Sequence, residues 1–172
     1  MSTGNTVMDY KGGSLTAKQT KAAVMKVIEH DSRLFHIATS VKSFGAKGDG
    51  VTDDLPAIKN AIDSLPSSGG KIYFPPGTYC ISSRIALKDN VTVKGAGVHL
   101  TKIIRLPGVA ECHMIGGSNL HNVVVQGMEI NGSSSFTVGP TSHFDGAFFW
   151  IGTNITIKDC YIHDMGRYCI GR

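Results

Sequence analysis

The chain has 172 residues, a length that suits about one domain, with 21 glycines, 8% aromatic residues and a formal charge of +4. That glycine content favours a turn-rich β architecture over a helical bundle. Six of the Lys and Arg residues, against three acids, lie up to Phe44, and no basic run is interleaved with aromatics, so the pattern argues for a solvated surface and against nucleic-acid binding. No segment approaches 18 consecutive apolar residues, so no membrane insertion is expected.

Met1–Gly13 is polar and glycine-bearing, so it is expected to be flexible, and it lacks the apolar core of a signal peptide. Ser14 can cap a helix over Leu15–His30. Its apolar arc is Ala17, Val24 and Ile28, flanked by Met25, with Lys18, Lys26 and Glu29 elsewhere. Two readings stay open for this helix: packing on its own chain, or a three-chain bundle or anchor to a larger particle. Arg33–Thr39 reads as an extended linker or first strand.

Val41–Asp54 reads as a tight glycine loop in which Gly45, Gly48 and Gly50 allow positive φ. Asp53 or Asp54 can cap the helix that follows, and Pro56 suits its first turn. Leu55, Ile58, Ile62 and Leu65 fall on one helical face. Pro66–Gly70 stops the helix, and Lys71–Phe74 reads as a strand before Pro75-Pro76-Gly77.

Beyond Tyr79 the chain reads as short strands and turns. Asn90–Gly95, Asn122–Gly127 and Asn154–Asp159 lie over one another at a spacing of 32 (122 − 90 and 154 − 122). Each runs Asn, β-branched, any, β-branched, polar, then Gly or Asp. Such a period marks a solenoid, and period-two alternation sends two β-branched residues of each segment inward. Further strands are expected at Lys102–Arg105, Gly127–Ile130, Ala147–Ile151 and Cys160–Ile162, with Gly132–Ser142 as the most polar loop. Cys80, Cys112, Cys160 and Cys169 form no CxxC pair, so they read as reduced thiols inside the coil stack and not as a zinc site. The sequence stops at Tyr168–Arg172 as another strand begins, which suggests the N-terminal part of a longer protein.

The run Phe44-Gly45-Ala46, Gly48-Asp49-Gly50, Thr52-Asp53-Asp54, a short helix, Gly69-Gly70, an aromatic strand, Pro75-Pro76-Gly77 and Thr78-Tyr79 resembles the N-terminal signature of the pectate-lyase-like superfamily. The resemblance implies a mainly β fold: a right-handed parallel β-helix with an N-terminal capping helix, here preceded by a separate amphipathic helix. In that family the signature is structural, which makes Phe44, Gly45, Gly48, Asp49, Gly50, Asp53, Asp54, Ile58 and Ile62 the expected cap. The implied domains are an arm at 1–40, the cap at 41–79 and the first coils at 80–172.

The superfamily holds polysaccharide lyases, glycoside hydrolases and phage tailspikes, so enzyme class stays open. Asp49, Asp53 and Asp54 lack the spacing of a calcium loop. His143, Asp145, His163 and Asp164, with Asp159 and Arg167, form the acid- and base-rich region and, with Trp150, the candidates for glycan contact. Phe148-Phe149-Trp150 reads either as packing or as a sugar-stacking or trimer surface. The family's hydrolase motifs are absent, so no catalytic residue, metal or cofactor is expected within the 172 residues. The chain looks most like phage preneck appendage proteins. That implies a virion location, a homotrimer, contact with other virion proteins through the N-terminal helix, and a bacterial surface glycan, such as wall teichoic acid, as partner. The missing export signal favours this reading. The alternative is a secreted polysaccharide lyase or glycoside hydrolase with its active site on later coils.

Overall fold

The computed structural model describes residues 38–109, 113–132, 146–165 and 168–171. The helix expected over Leu15–His30 lies outside them. β1 (Thr39–Ser40) leads through a 3-10 turn (Val41–Phe44) to β2 (Asp49–Asp53), then to helix α1 (Leu55–Asp63). β3 (Gly70–Phe74), β4 (Gly77–Ile81), β5 (Ile85–Ala86), β6 (Val91–Gly95), β7 (Thr101–Arg105), β8 (Ile115–Asn131), β9 (Gly146–His163) and β10 (Tyr168–Gly171) follow. All the pairings are parallel.

The pairings divide the sheet into three faces. The first stacks β1, β3, β6 and the middles of β8 and β9. The second stacks β2, β4, β7 and the ends of β8 and β9. The third stacks β5, the starts of β8 and β9, and β10. Each coil visits the faces in turn and lies one strand spacing, about 4.8 Å, above the last. This is a right-handed parallel β-helix.

Its core follows from side-chain alternation in register. Ile72, Val93, Val125 and Ile157 stack inward on the first face, and Tyr79, Ile103, Ile130 and Ile162 on the second. Ile85, Ile115 and Phe148 do so on the third. These residues belong to, or pack against, one apolar cluster. Each fully buried member contributes about 1.5–3 kcal/mol relative to exposure. Phe74 meets Tyr79 edge-on, at 5.3 Å and 88° between rings, and burial pushes the Tyr79 phenol up to about 12. Cys160 packs on the cluster, whereas Cys80 sits on the opposite side of β4 from Tyr79 and Ile81. It is buried all the same. Both are free thiols, and burial raises the pKa of each.

α1 comes after a second-face strand and before a first-face strand. In the next coil β5 holds that place. Ile58, Ala61 and Ile62 bury their side chains in the common cluster, and Leu55 and Leu65 pack against it in part. The helix ends two residues earlier than its apolar spacing suggested, because Leu65 N–H turns to Ile62 O and Pro66 follows.

The repeated asparagines form a ladder. Asn122 Nδ2 donates to Asn90 Oδ1 at 2.9 Å, and Asn154 Nδ2 to Asn122 Oδ1 at 3.0 Å. All three are left-handed, with φ of 59°, 57° and 56°, a conformation that asparagine tolerates at low cost. Below them Gly69 (φ 91°) takes the same turn; a Cβ there would lie 2.1 Å from Asn90 O. Asn122→Ala should therefore lose about 2 kcal/mol, from the left-handed strain and two bonds. Asn122→Gly should recover about half of that, and urea denaturation reads both.

Two expectations need correction. The glycine loop contains a strand, β2, irregularly registered on β4 between Asp49 and Asp53. Gly45, Gly48 and Gly50 do take φ of 99°, 62° and 78°, but Gly45 and Gly48 lead into that strand and Gly50 lies within it. The second- and third-repeat segments and their neighbouring short strands are parts of β8 and β9, which run continuously around three faces.

Candidate functional site

On the second face, residues alternating with the buried column point outward. Asp49, Thr78, Lys102, Glu129 and Tyr161 align across five coils. Beside them run Asp53, Cys80, Ile104, Asn131 and His163. The columns converge on Glu129. Lys102 Nζ lies 2.7 Å from Glu129 Oε1, His163 Nε2 3.0 Å from the same oxygen, and His99 Nδ1 3.2 Å from Oε2. His163 Nδ1 lies 2.8 Å from Asp164 Oδ2.

Glu129 points away from the core, yet its side chain is only 9% exposed, because these neighbours roof it over. Lys102, then the two histidines, hold its carboxyl down to about 2 against the opposing effect of burial. It therefore stays ionised through the neutral range and serves as a fixed acceptor, not as an acid that gives up a proton. The Tyr161 ring stacks on His163 at 4.3 Å and meets His99 edge-on at 5.5 Å. At 47% exposure it offers a braced aromatic surface close to the Lys102–Glu129 pair, an arrangement suited to a sugar ring with polar substituents.

Of the residues picked out from the sequence, His163 and Asp164 enter this cluster. His143 and Asp145 lie outside the described residues. Trp150 is placed through its backbone alone, opposite Gly117, and Phe148 is fully buried. Lys102, Glu129, His99 and Tyr161 were not picked out. Extending the 32-residue period to Glu129 and Tyr161 (161 − 129) would have stacked them, as it does Asn131 and His163.

The residues assigned to the signature lie at the other end of the described chain. Gly45 closes the 3-10 turn, donating to Lys42 O at 3.1 Å, and Phe44 is partly exposed. Asp49 folds over its own turn, accepting from Val51 N–H, Thr52 N–H and the Thr52 hydroxyl. Thr52 and Val51 pull its carboxyl down to about 2. Gly48 lets the backbone pass Tyr79, whose ring a Cβ would meet at 3.0 Å, and Gly50 runs beside Thr78. Asp53 accepts from Leu55 N–H at 3.1 Å and Ser82 N–H at 3.2 Å. Asp54 holds the N-cap position but turns its carboxylate back to Lys47 N–H at 2.6 Å and Gly48 N–H at 3.0 Å. Ile58 and Ile62 are buried beneath them. Among the described residues, no helix is long and apolar enough to cross a membrane.

The chain is similar to several known proteins. The preneck appendage protein of Bacillus phage PZA is 36% identical over 148 residues, covering 81% of this chain and 16% of that protein. Alginate lyase 7 of Azotobacter vinelandii is 32% identical over 150 residues, 75% of this chain and 17% of that protein. The crystal structure of the bacteriophage phi29 gene product 12 N-terminal fragment matches with a TM-score of 0.71 and 27% identity, over 88% of this chain and 26% of that one. The chain spans about a sixth of the length of the curated relatives it matches. The family described as rhamnogalacturonase A/epimerase, pectate lyase-like, matches residues 38–144, and with the coil stack and its register in place the chain belongs to the pectate-lyase-like β-helix family.

Proposed function

We propose that the chain is part of a phage tailspike or preneck appendage that attaches the virion to a bacterial surface glycan. In this reading residues 1–40 anchor the protein to other virion proteins or join three chains. Residues 41–79, with Phe44, the glycine turns, Asp49, Asp53, Asp54, Ile58 and Ile62, cap the β-helix. Residues 80–172 supply coils that face the glycan, and the assembly is a homotrimer. His163 and Asp164 belong to the binding surface with Lys102, Glu129 and Tyr161, and His143, Asp145 and Trp150 are proposed as further glycan contacts.

The observation that carries the reading is the braced Tyr161 ring beside the Lys102–Glu129 pair, on a fold shared with phage appendages. Wall teichoic acid is the glycan we name, since Lys102 and His99 could meet its phosphates while Tyr161 takes a sugar face. A second reading, favoured by the likeness to an alginate lyase, is a secreted glycan-degrading enzyme whose catalytic residues lie outside this segment.

The test incubates the full-length protein with wall teichoic acid and with alginate, scoring retention and released chain ends separately. Retention of teichoic acid without new ends is expected. Cleavage of alginate without teichoic acid binding would favour the second reading, and neither binding nor cleavage would remove both. Light scattering should give three times the chain mass; a strict monomer would count against the virion role.

A further inference from the structure

α1 leaves a gap in the third face. A helix in the place of a strand offers β5 no backbone ladder, and among the described strands β5 pairs with β8 alone. That pairing uses Ile85 N–H to Met114 O at 2.8 Å and Leu87 N–H to Gly116 O at 3.0 Å. In a parallel ladder alternate residues address opposite neighbours, so the N–H and C=O of Ala86 face the α1 side, where none of the described strands lies. Between helix and strand runs a groove of about 220 Å³, lined by Leu55, Lys59, Ile62, Arg84, Ile85 and Ala86. It is larger than the ~150 Å³ apolar cavity that accepts benzene.

The lining has a pattern. Leu55, Ile62 and Ile85 make an apolar floor, and Lys59 and Arg84 are exposed cations. Among the described residues none that lines the groove is acidic, and the nearby Asp63 is already held by Lys88 at 3.0 Å. An occupant that satisfies all three features needs an apolar side chain for the floor, a carboxylate for the two cations, and backbone amides for the open edge. A glycan lacks the first and a lipid lacks the last.

We propose that the groove between α1 and β5 docks an extended segment of a partner protein in which an apolar residue adjoins an acidic one. The segment adds as a short strand to the Ala86 edge, its apolar side chain seats against Leu55, Ile62 and Ile85, and its carboxylate lies between Lys59 and Arg84. This surface is separate from the Glu129 cluster and does not depend on glycan binding.

The test uses the full chain against an array of hexapeptides that place Leu, Val or Phe beside Asp or Glu at every inner position, with Asn and Gln counterparts. Arg84→Glu and Lys59→Glu, both at exposed positions, are compared after their thermal midpoints are shown to match the wild type. Selective capture of acidic members, weakened about tenfold or more in each variant, is the expected result. Equal capture of the amide counterparts, unchanged capture by the variants, or no capture by the folded wild type would overturn the proposal. Concentration-dependent self-association lost in Arg84→Glu would also overturn it, since the occupant would then be a second copy of the chain.

Discussion

Gly152→Ala is expected to lose about 3 kcal/mol or more of folding free energy, a fall of roughly 6–12 °C in the thermal midpoint for a domain of this size. Gly152 pairs with Leu120 just after the register of β8 and β9 shifts. A Cβ at Gly152 would lie 1.9 Å from Leu120 O, 2.8 Å from its carbonyl carbon and 2.9 Å from its nitrogen. All three atoms are backbone, so relief requires two coils to part at a corner, and the ladders on either side of it resist that. Gly50→Ala is the comparison: its nearest neighbour atoms are at an ordinary 3.6 Å, and its φ of 78° is the main obstacle. That change should cost about 1–2 kcal/mol. If Gly152→Ala cost less than Gly50→Ala, the coils would not approach each other as described.

Lys102→Met should cost about 2 kcal/mol at neutral pH, because it leaves the roofed Glu129 carboxylate without its main partner. The pH dependence identifies the cause. Glu129 titrates at about 2 in the folded protein against 4.5 ordinarily. Its ionised form therefore stabilises the wild type fully above pH 4.5, and that stabilisation is lost as pH falls through about 2. In the variant the folded carboxyl titrates higher, so the gap between the two proteins should be widest above about pH 5 and close as both protonate. A gap constant down to pH 2 would mean that Lys102 acts through its packed methylenes. Urea unfolding at several pH values measures it.

Much of the fold was legible because a solenoid writes its register into the sequence. The 32-residue recurrence of Asn90, Asn122 and Asn154 placed Val93, Val125 and Ile157 over one another without coordinates. α1 was equally legible from Pro56 and the spacing of Ile58 and Ile62. β2 was not. Asp49-Gly50-Val51-Thr52-Asp53 has glycine and two acids, and it is a strand only because β4 offers it an edge. β5 is two residues long and paired to a segment 30 residues away (115 − 85), too short for any periodicity. The candidate site was half legible. His163 and Asp164 stand next to each other in the chain and drew notice as an acid–base pair. Glu129 gathers partners 27, 30 and 34 residues away (129 − 102, 129 − 99 and 163 − 129), on other coils and a connecting loop. A search for acids and bases close in sequence passes over such a residue, whereas extending the repeat to every outward position would have found it.

The second face is proposed to bind glycan through the surface around Tyr161. Affinity of the full-length protein for purified wall teichoic acid, compared between wild type and Tyr161→Ala by isothermal titration, tests it most directly. Binding about tenfold weaker in Tyr161→Ala, in line with one aromatic contact, with an unchanged thermal midpoint, is expected. Equal affinity in the two proteins would contradict it.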